Sequence, residues 1–217
     1  FWKTFWFNLV IPTLIFVGIA FVLGLIQYRS LFARERERLQ IATDVVVATV
    51  DRVLAENRQL LEDFTRIEPV KDLVATLPVS VTREYYENDP QVAVIRAIMG
   101  GLASEPGISI LYFGAAQSPA LLGSRWVELP PTYDARQRPW YVTTARTAAF
   151  SITDLYETAE EGVDELIYSY ALPVIADGDV IGVAALDTNF ARIQEEVSLI
   201  LDEYEIPLLD IYSRDTR

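Results

Sequence analysis

Tyr133-Asp134-Ala135-Arg136-Gln137-Arg138-Pro139-Trp140-Tyr141 is the stretch whose reading decides the fold. Three aromatics, two arginines and a proline share nine residues, and no strand or helix period explains the mixture. A core segment would avoid the arginines, and an ordinary solvated loop would avoid the aromatics. Phenol O–H, indole N–H and guanidinium groups together make a donor set suited to one small anion. The plainer alternative is a loop that packs its aromatics on the domain and leaves its arginines in water.

Working outward, the period changes on either side of this loop. Ile108 to Phe113 and Leu121 to Leu129 read as strands before it, the second ending at Pro130-Pro131. Val142 to Thr147 reads as a short helix and Phe150 to Tyr156 as a strand after it. Glu165–Ile175 and Val180–Thr188 form a hairpin around Asp177-Gly178, a strong turn dipeptide. Asn189 then caps a helix expected to reach about Glu203. Upstream, short helices are expected at about Val70–Leu77 and Pro90–Ser104. The fold class is therefore α+β: a long helix, short helices, then an antiparallel sheet of about five strands with a helix inserted. A pocket between the sheet and its covering loop is where a small ligand would sit.

Phe5 to Tyr28 is almost wholly apolar, with only Asn8 and Gln27 strongly polar, and Trp2, Trp6 and Tyr28 stand near its ends. That length and those flanks predict a retained transmembrane helix over residues 1–28. Arg29, Arg34, Arg36 and Arg38 follow the span and only Lys3 precedes it. By charge alone, the C-terminal side would be cytoplasmic. Arg29 to about Thr65 reads as one helix, a stalk over 29–66. Leu39, Thr43, Val46, Val50, Val53, Asn57, Leu60 and Phe64 recur at alternating steps of four and three, a heptad seam. The seam would pack on a second copy, or bury one face on its own domain, and both can hold for different turns.

The 217 residues carry 31 acidic against 18 basic side chains, a net charge of -13, and neither histidine nor cysteine. Nucleic-acid binding, which needs clustered Lys and Arg, is disfavoured. Disulfides, Cys/His metal sites and Ser-His or Cys-His catalysis are excluded. An enzyme would have to rest on a carboxylate pair, and none stands out beside the motif, so no catalytic residue and no cofactor is expected. The acidic run Glu157, Glu160, Glu161, Asp164 and Glu165 lacks the spacing and central glycine of a calcium loop and reads as a solvated hairpin tip. Both ends of the chain read as trimmed.

The order of elements and the motif together resemble the double Cache sensor region of bacterial chemoreceptors, sensor histidine kinases and diguanylate cyclases, in its amino-acid-binding branch. Tyr133, Arg138, Trp140 and Tyr141 match that branch's Y-x4-R-x-W-Y pattern. Tyr156 matches its later tyrosine, and Asp187, closing Ile181-Gly182-Val183-Ala184-Ala185-Leu186-Asp187, its later aspartate. The resemblance covers roughly residues 29–205. It implies a PAS-like, membrane-distal module over 67–205 and the start of a membrane-proximal module over 206–217. It further implies a sensor domain outside the cytoplasmic membrane, dimerised through the stalk. The missing cytoplasmic part would be the output and could itself be an enzyme. By the same resemblance, Arg138, Trp140 and Tyr133 would hold the carboxylate of an amino acid. Asp187 would face the ammonium, with Tyr141 and Tyr156 supplying oxygen or a π face. Two positions depart from the pattern. Thr144 stands where many members have alanine. Thr158 stands where many have an acid, which leaves the ammonium half weaker and keeps open a module that binds an amine or small organic acid, or no ligand at all. Arg136 has no role implied and is expected to be solvated.

Overall fold

The computed structural model describes residues 11–104, 107–189 and 198–199. It divides into two compact units, one of residues 1–48 with 198–217 and one of residues 49–197. Helix α1 (Ile11–Arg66) begins in the first and ends in the second. Within the first unit, Phe16, Val17, Ile19, Phe21, Val22, Leu23, Leu25, Ile26 and Tyr28 are exposed. Among the described residues, however, no helix is long and apolar enough to cross a membrane. The expected span at 5–28 is therefore not found as such: residues 5–10 lie outside the described residues, and the apolar turns that follow belong to a helix that runs on through Arg29, Arg34, Arg36 and Arg38. The helix expected from Asn189 to Glu203 falls outside the described residues except at 198–199, and the segment 206–217 falls outside them entirely.

In the second unit the end of α1 buries Asn57, Leu61, Phe64 and Thr65, with Val53, Leu54 and Leu60 half-buried. The lower part of the heptad seam thus lies on its own domain, whereas Leu39 and Val50 are exposed. Helix α2 (Glu68–Thr76) carries Pro69 in its first turn, where a missing N–H costs nothing, and buries Val70, Leu73 and Val74. Helix α3 (Arg83–Asn88), not foreseen from sequence, starts where the Thr82 hydroxyl accepts from Tyr85 N at 3.1 Å. Helix α4 (Pro90–Leu102) follows at once, because the Asp89 carboxylate accepts from Gln91 N and Val92 N, at 2.9 and 3.0 Å, and Pro90 presets the first turn.

The sheet has six strands: β1 (Ile108–Ala115), β2 (Leu121–Gly123), β3 (Ser151–Ile152), β4 (Tyr156–Glu157), β5 (Leu166–Ala176) and β6 (Asp179–Asn189). All pairings are antiparallel, in the order β2-β1-β6-β5-β3, with β4 also on β5. The expected five-stranded sheet is corrected at its edges. The strand expected over 121–129 stops at Gly123, where Ser124 turns back to donate to Leu111 O. The strand expected over 150–156 divides into β3 and β4. Between them the Thr153 hydroxyl replaces a backbone acceptor and receives Ser169 N at 2.9 Å. The β5–β6 hairpin turns at Asp177-Gly178, both with positive φ, as anticipated.

Strand side chains alternate faces. Leu111, Phe113, Tyr168, Tyr170, Val174, Ala184 and Leu186 join the main core with Leu61, Phe64, Val70, Leu73, Val74, Ile95 and Met99 from the helices. Ile110, Tyr112, Ala171, Val183 and Ala185 point the other way, into a smaller cluster with Ala135, Trp140 and Tyr141. Helix α5 (Pro139–Thr147) contacts β5 and β6. Asp187 belongs to the 183/185/187 set, so the motif loop and the later aspartate share one sheet face.

Candidate functional site

A short 3-10 turn, Ala135–Gln137, precedes Arg138. The Asp134 carboxylate builds it by accepting from Arg136 N at 3.0 Å, and it then clamps the Arg136 guanidinium with bonds of 2.9 and 2.8 Å. That pairing holds the Asp134 carboxyl at about 2, below its ordinary value. Arg136 is therefore partnered within the loop rather than simply solvated. Arg138 is left with extended backbone, φ -79 and ψ 149, between this turn and α5, which starts at Pro139. Its backbone joins the two, with Arg138 N donating to Ala135 O at 3.1 Å and Arg138 O accepting from Tyr141 N at 3.0 Å.

Tyr133, Arg138, Trp140, Tyr156, Thr158 and Asp187 all line one pocket of about 290 Å³. Six of the seven site residues expected from sequence are thus brought together. Tyr141 is not: it is buried in the smaller cluster, its ring 5.4 Å from Trp140 and edge-on to it. Adjacent helical residues point about 100° apart, so when Trp140 faces the pocket its neighbour faces the sheet.

The two charged groups of the motif are held differently. Arg138 donates from Nη2 to Glu157 O at 2.9 Å, and its Cζ lies 5.2 Å from the centre of the Tyr156 ring. The remaining guanidinium N–H groups are geometrically able to take a carboxylate. Asp187 is 8% exposed. Its Oδ1 accepts from Tyr112 Oη and from Ser169 Oγ, each at 2.6 Å. Ser169 also bonds the Tyr156 hydroxyl, and Tyr112 Oη lies 3.2 Å from Ser169 Oγ. Burial pushes the Asp187 carboxyl up to about 6, while the bonds from Ser169 and Tyr112 and the positive charge of Arg138 act the other way. Burial likewise raises the phenols of Tyr112, Tyr133 and Tyr156, keeping them protonated donors.

Tyr112 and Ser169 are site residues that sequence reasoning missed. Each hides in an apolar strand run. Only the register, which sets Ser169 directly across from Asp187, brings them to it. Thr158, in the place of an acid, lines the pocket and accepts from Glu160 N at 3.3 Å. Glu160 and Arg125 line it too, joined by bonds of 2.7 and 2.6 Å. The acidic run is thus tied to the β2 side of the pocket through Glu160 instead of being wholly solvated. Among the described residues, no group of acidic side chains is placed to hold a metal ion.

The sheet with its long leading helix is a fold shared with solved ligand-binding domains of bacterial chemoreceptors. The sensory domain of chemoreceptor Tlp3 of Campylobacter jejuni, solved with isoleucine bound, matches with a TM-score of 0.57 and 18% identity over 79% of this chain and 64% of that one. The ligand-binding domain of chemoreceptor CtaA of Pseudomonas fluorescens, in complex with L-isoleucine, matches with 0.52 and 19% over 69% and 54%. That of the amino acid chemoreceptor PctC of Pseudomonas aeruginosa PAO1, in complex with GABA, matches with 0.50 and 20% over 76% and 65%. The chain thus spans less than two thirds of each of these structures. No family model and no curated protein sequence matches the chain.

Proposed function

We propose that the domain is the sensor module of a transmembrane signalling receptor and binds a small amino acid in the pocket between the sheet and the motif loop. One observation carries the reading: a guanidinium with free donor capacity and a buried carboxylate, on separate elements, line the same 290 Å³ space. A zwitterion needs both poles matched, because a buried unpaired charge is costly. Arg138, with the Trp140 indole and Tyr133 phenol, would take the carboxylate. Asp187, with Tyr156 beside it, would take the ammonium, and Tyr112 and Ser169 would hold Asp187 in place. The names of the similar structures, several of them complexes with amino acids, support the same class of ligand.

Signalling would follow from differential affinity for two states. β1 and β6 carry the pocket on one face and the core contacts of α1 on the other, and the Phe64 and Phe113 rings lie 6.4 Å apart at that contact. A small shift of these strands would reach the stalk helix directly. The exposed apolar side chains between Phe16 and Tyr28 support seating that end of the chain in the cytoplasmic membrane; in this reading the sensor would lie outside it and two copies would join along the stalk.

Titration calorimetry against the common amino acids tests this, together with simple amines and small organic acids. Micromolar binding of at least one amino acid, lost in Arg138→Ala and in Asp187→Asn, is the expected result. Binding confined to an amine or an organic acid would favour the alternative specificity for which Thr158 speaks. A folded domain that binds none of them would leave a module for dimerisation or partner binding.

A further inference from the structure

The part of the pocket not used by the two poles of an amino acid has its own chemistry. Its aliphatic lining is Ile110, Leu121, Val127, Leu129, Val163 and Ile167, beside the polar Thr158, Arg125, Glu160 and Glu165. They come from three strands and two loops, so the apolar character is not an accident of one segment. Ile110 and Ile167 are buried, and Ile110 pairs in register with Asp187 itself. Tyr156, on the other flank, pairs with Ile167. The aliphatic wall therefore begins beside the residues assigned to the ammonium, where the side chain of a bound amino acid would leave its α-carbon.

Two of the three charged groups on this wall, Arg125 and Glu160, are engaged with each other. Arg125 and Glu160 face each other through two parallel bonds, so each neutralises the other. Glu165, the third, is exposed. A carboxylate at the end of a ligand side chain would lose its hydration here and would have to break the Arg125–Glu160 pair to regain a partner, and an ammonium would give up its hydration for the exposed Glu165. An aliphatic side chain would lose nothing and would remove apolar surface from water.

We infer that the ligand class of this pocket is an amino acid with an aliphatic, uncharged side chain, selected by the wall of Ile110, Leu121, Val127, Leu129, Val163 and Ile167. This rests on the proposed amino-acid reading of the Arg138 and Asp187 poles. The test is a calorimetric series on the full chain in a mild detergent: glycine, alanine, 2-aminobutyrate, valine and isoleucine, then aspartate, glutamate, lysine and arginine. Affinity should rise along the first series by about fourfold per added carbon, and the charged members should bind at least about a hundredfold more weakly than isoleucine. A flat aliphatic series, or a charged amino acid binding as tightly as isoleucine, overturns the inference while leaving the amino-acid reading intact. Failure of all nine overturns both. Val127→Asp, at a half-buried wall position that is not one of the residues assigned to the poles, should weaken isoleucine at least tenfold and glycine much less. An equal loss for both ligands would count against the wall as the selective element.

Discussion

Ser169 and Asp187 face each other across β5 and β6, and the serine hydroxyl donates to the carboxylate at 2.6 Å. A buried strand residue and a buried acid are thus paired by sheet register rather than by sequence proximity. The bond fixes the Asp187 rotamer but does not neutralise its charge. Tyr112, the other donor at 2.6 Å, is neutral as well. The acid is held in place while, among the described residues, no basic side chain forms an ion pair with it, which is the condition a ligand ammonium would relieve.

That arrangement predicts opposite pH dependences for stability and binding. Asp187 releases its proton at about 6 in the folded domain, against 3.8 as the ordinary value. Between these values the folded state holds the extra proton. Stability of the free domain should therefore fall as pH rises from about 4 to 6, by on the order of 3 kcal/mol, and stay level above. Amino-acid affinity should fall about tenfold per pH unit below 6, because the ammonium needs the ionised acid. Denaturant unfolding and calorimetry between pH 4.5 and 8 check both. Asp187→Asn should abolish the stability change and the binding together, while its thermal midpoint at pH 7.5 stays at or above that of the parent.

Arg138→Ala should weaken amino-acid binding by about a hundredfold or more, since truncating one partner of a charge-assisted contact typically costs 2–5 kcal/mol. The domain should remain folded. In the free protein the Arg138 guanidinium donates to Glu157 O and lies over Tyr156 at its half-buried position. Arg138→Lys keeps the charge but loses the fork and should fall between the two. An unfolded Arg138→Ala domain by circular dichroism would contradict this account of the residue.

How far the sequence discloses this site depends on the type of information each residue carries. The Asp177-Gly178 turn dictates the β5–β6 hairpin, and period-2 alternation places Val183, Ala185 and Asp187 on one face. Arg138 stands out because an arginine among aromatics has no packing explanation. Tyr112 and Ser169 do not stand out, because alternation says that they share a face with something but not with what. The register that joins them to Asp187 depends on pairings between strands 18 and 75 residues apart. Tyr141 misleads for the opposite reason: it is adjacent to a pocket residue in sequence, and the helix turns it away. The edge strands fail because their bonds go to Thr153 and Ser124 side chains, which no backbone pattern reveals.

Glu160→Gln should speed ligand release several-fold with little effect on fold. Arg125 and Glu160 join the β2 side of the pocket to the loop after β4, and Glu161 N adds a backbone bond to Glu128 O at 2.9 Å. The ion pair is partly exposed, with Arg125 48% and Glu160 21% accessible. Its contribution is therefore at most about 1 kcal/mol and screened by salt. Stopped-flow release in low and high salt should show the parent approaching the variant as salt rises. Equal salt dependence in both would remove the pair from the account.

Gly182→Ala tests the sheet rather than the pocket. A Cβ built at Gly182 would lie 2.5 Å from Gly114 O and 2.6 Å from Val74 Cγ1. The first contact is backbone of the paired strand β1, so it cannot rotate away, and the second belongs to α2 in the main core. Relief requires β1 and β6 to separate or α2 to lift, at a cost of about 1–3 kcal/mol. Both strands carry pocket residues, Ile110 and Tyr112 on β1 and Asp187 on β6. The variant should therefore lose affinity as well as thermal stability, although Gly182 does not line the pocket. Gly24→Ala, where a Cβ meets nothing within 4 Å in helix α1, is the control for the added methyl and should leave affinity unchanged without lowering stability. Retained affinity in Gly182→Ala alongside lowered stability would show that the pocket tolerates a shift of the sheet, and would remove the strands as the route from ligand to helix α1.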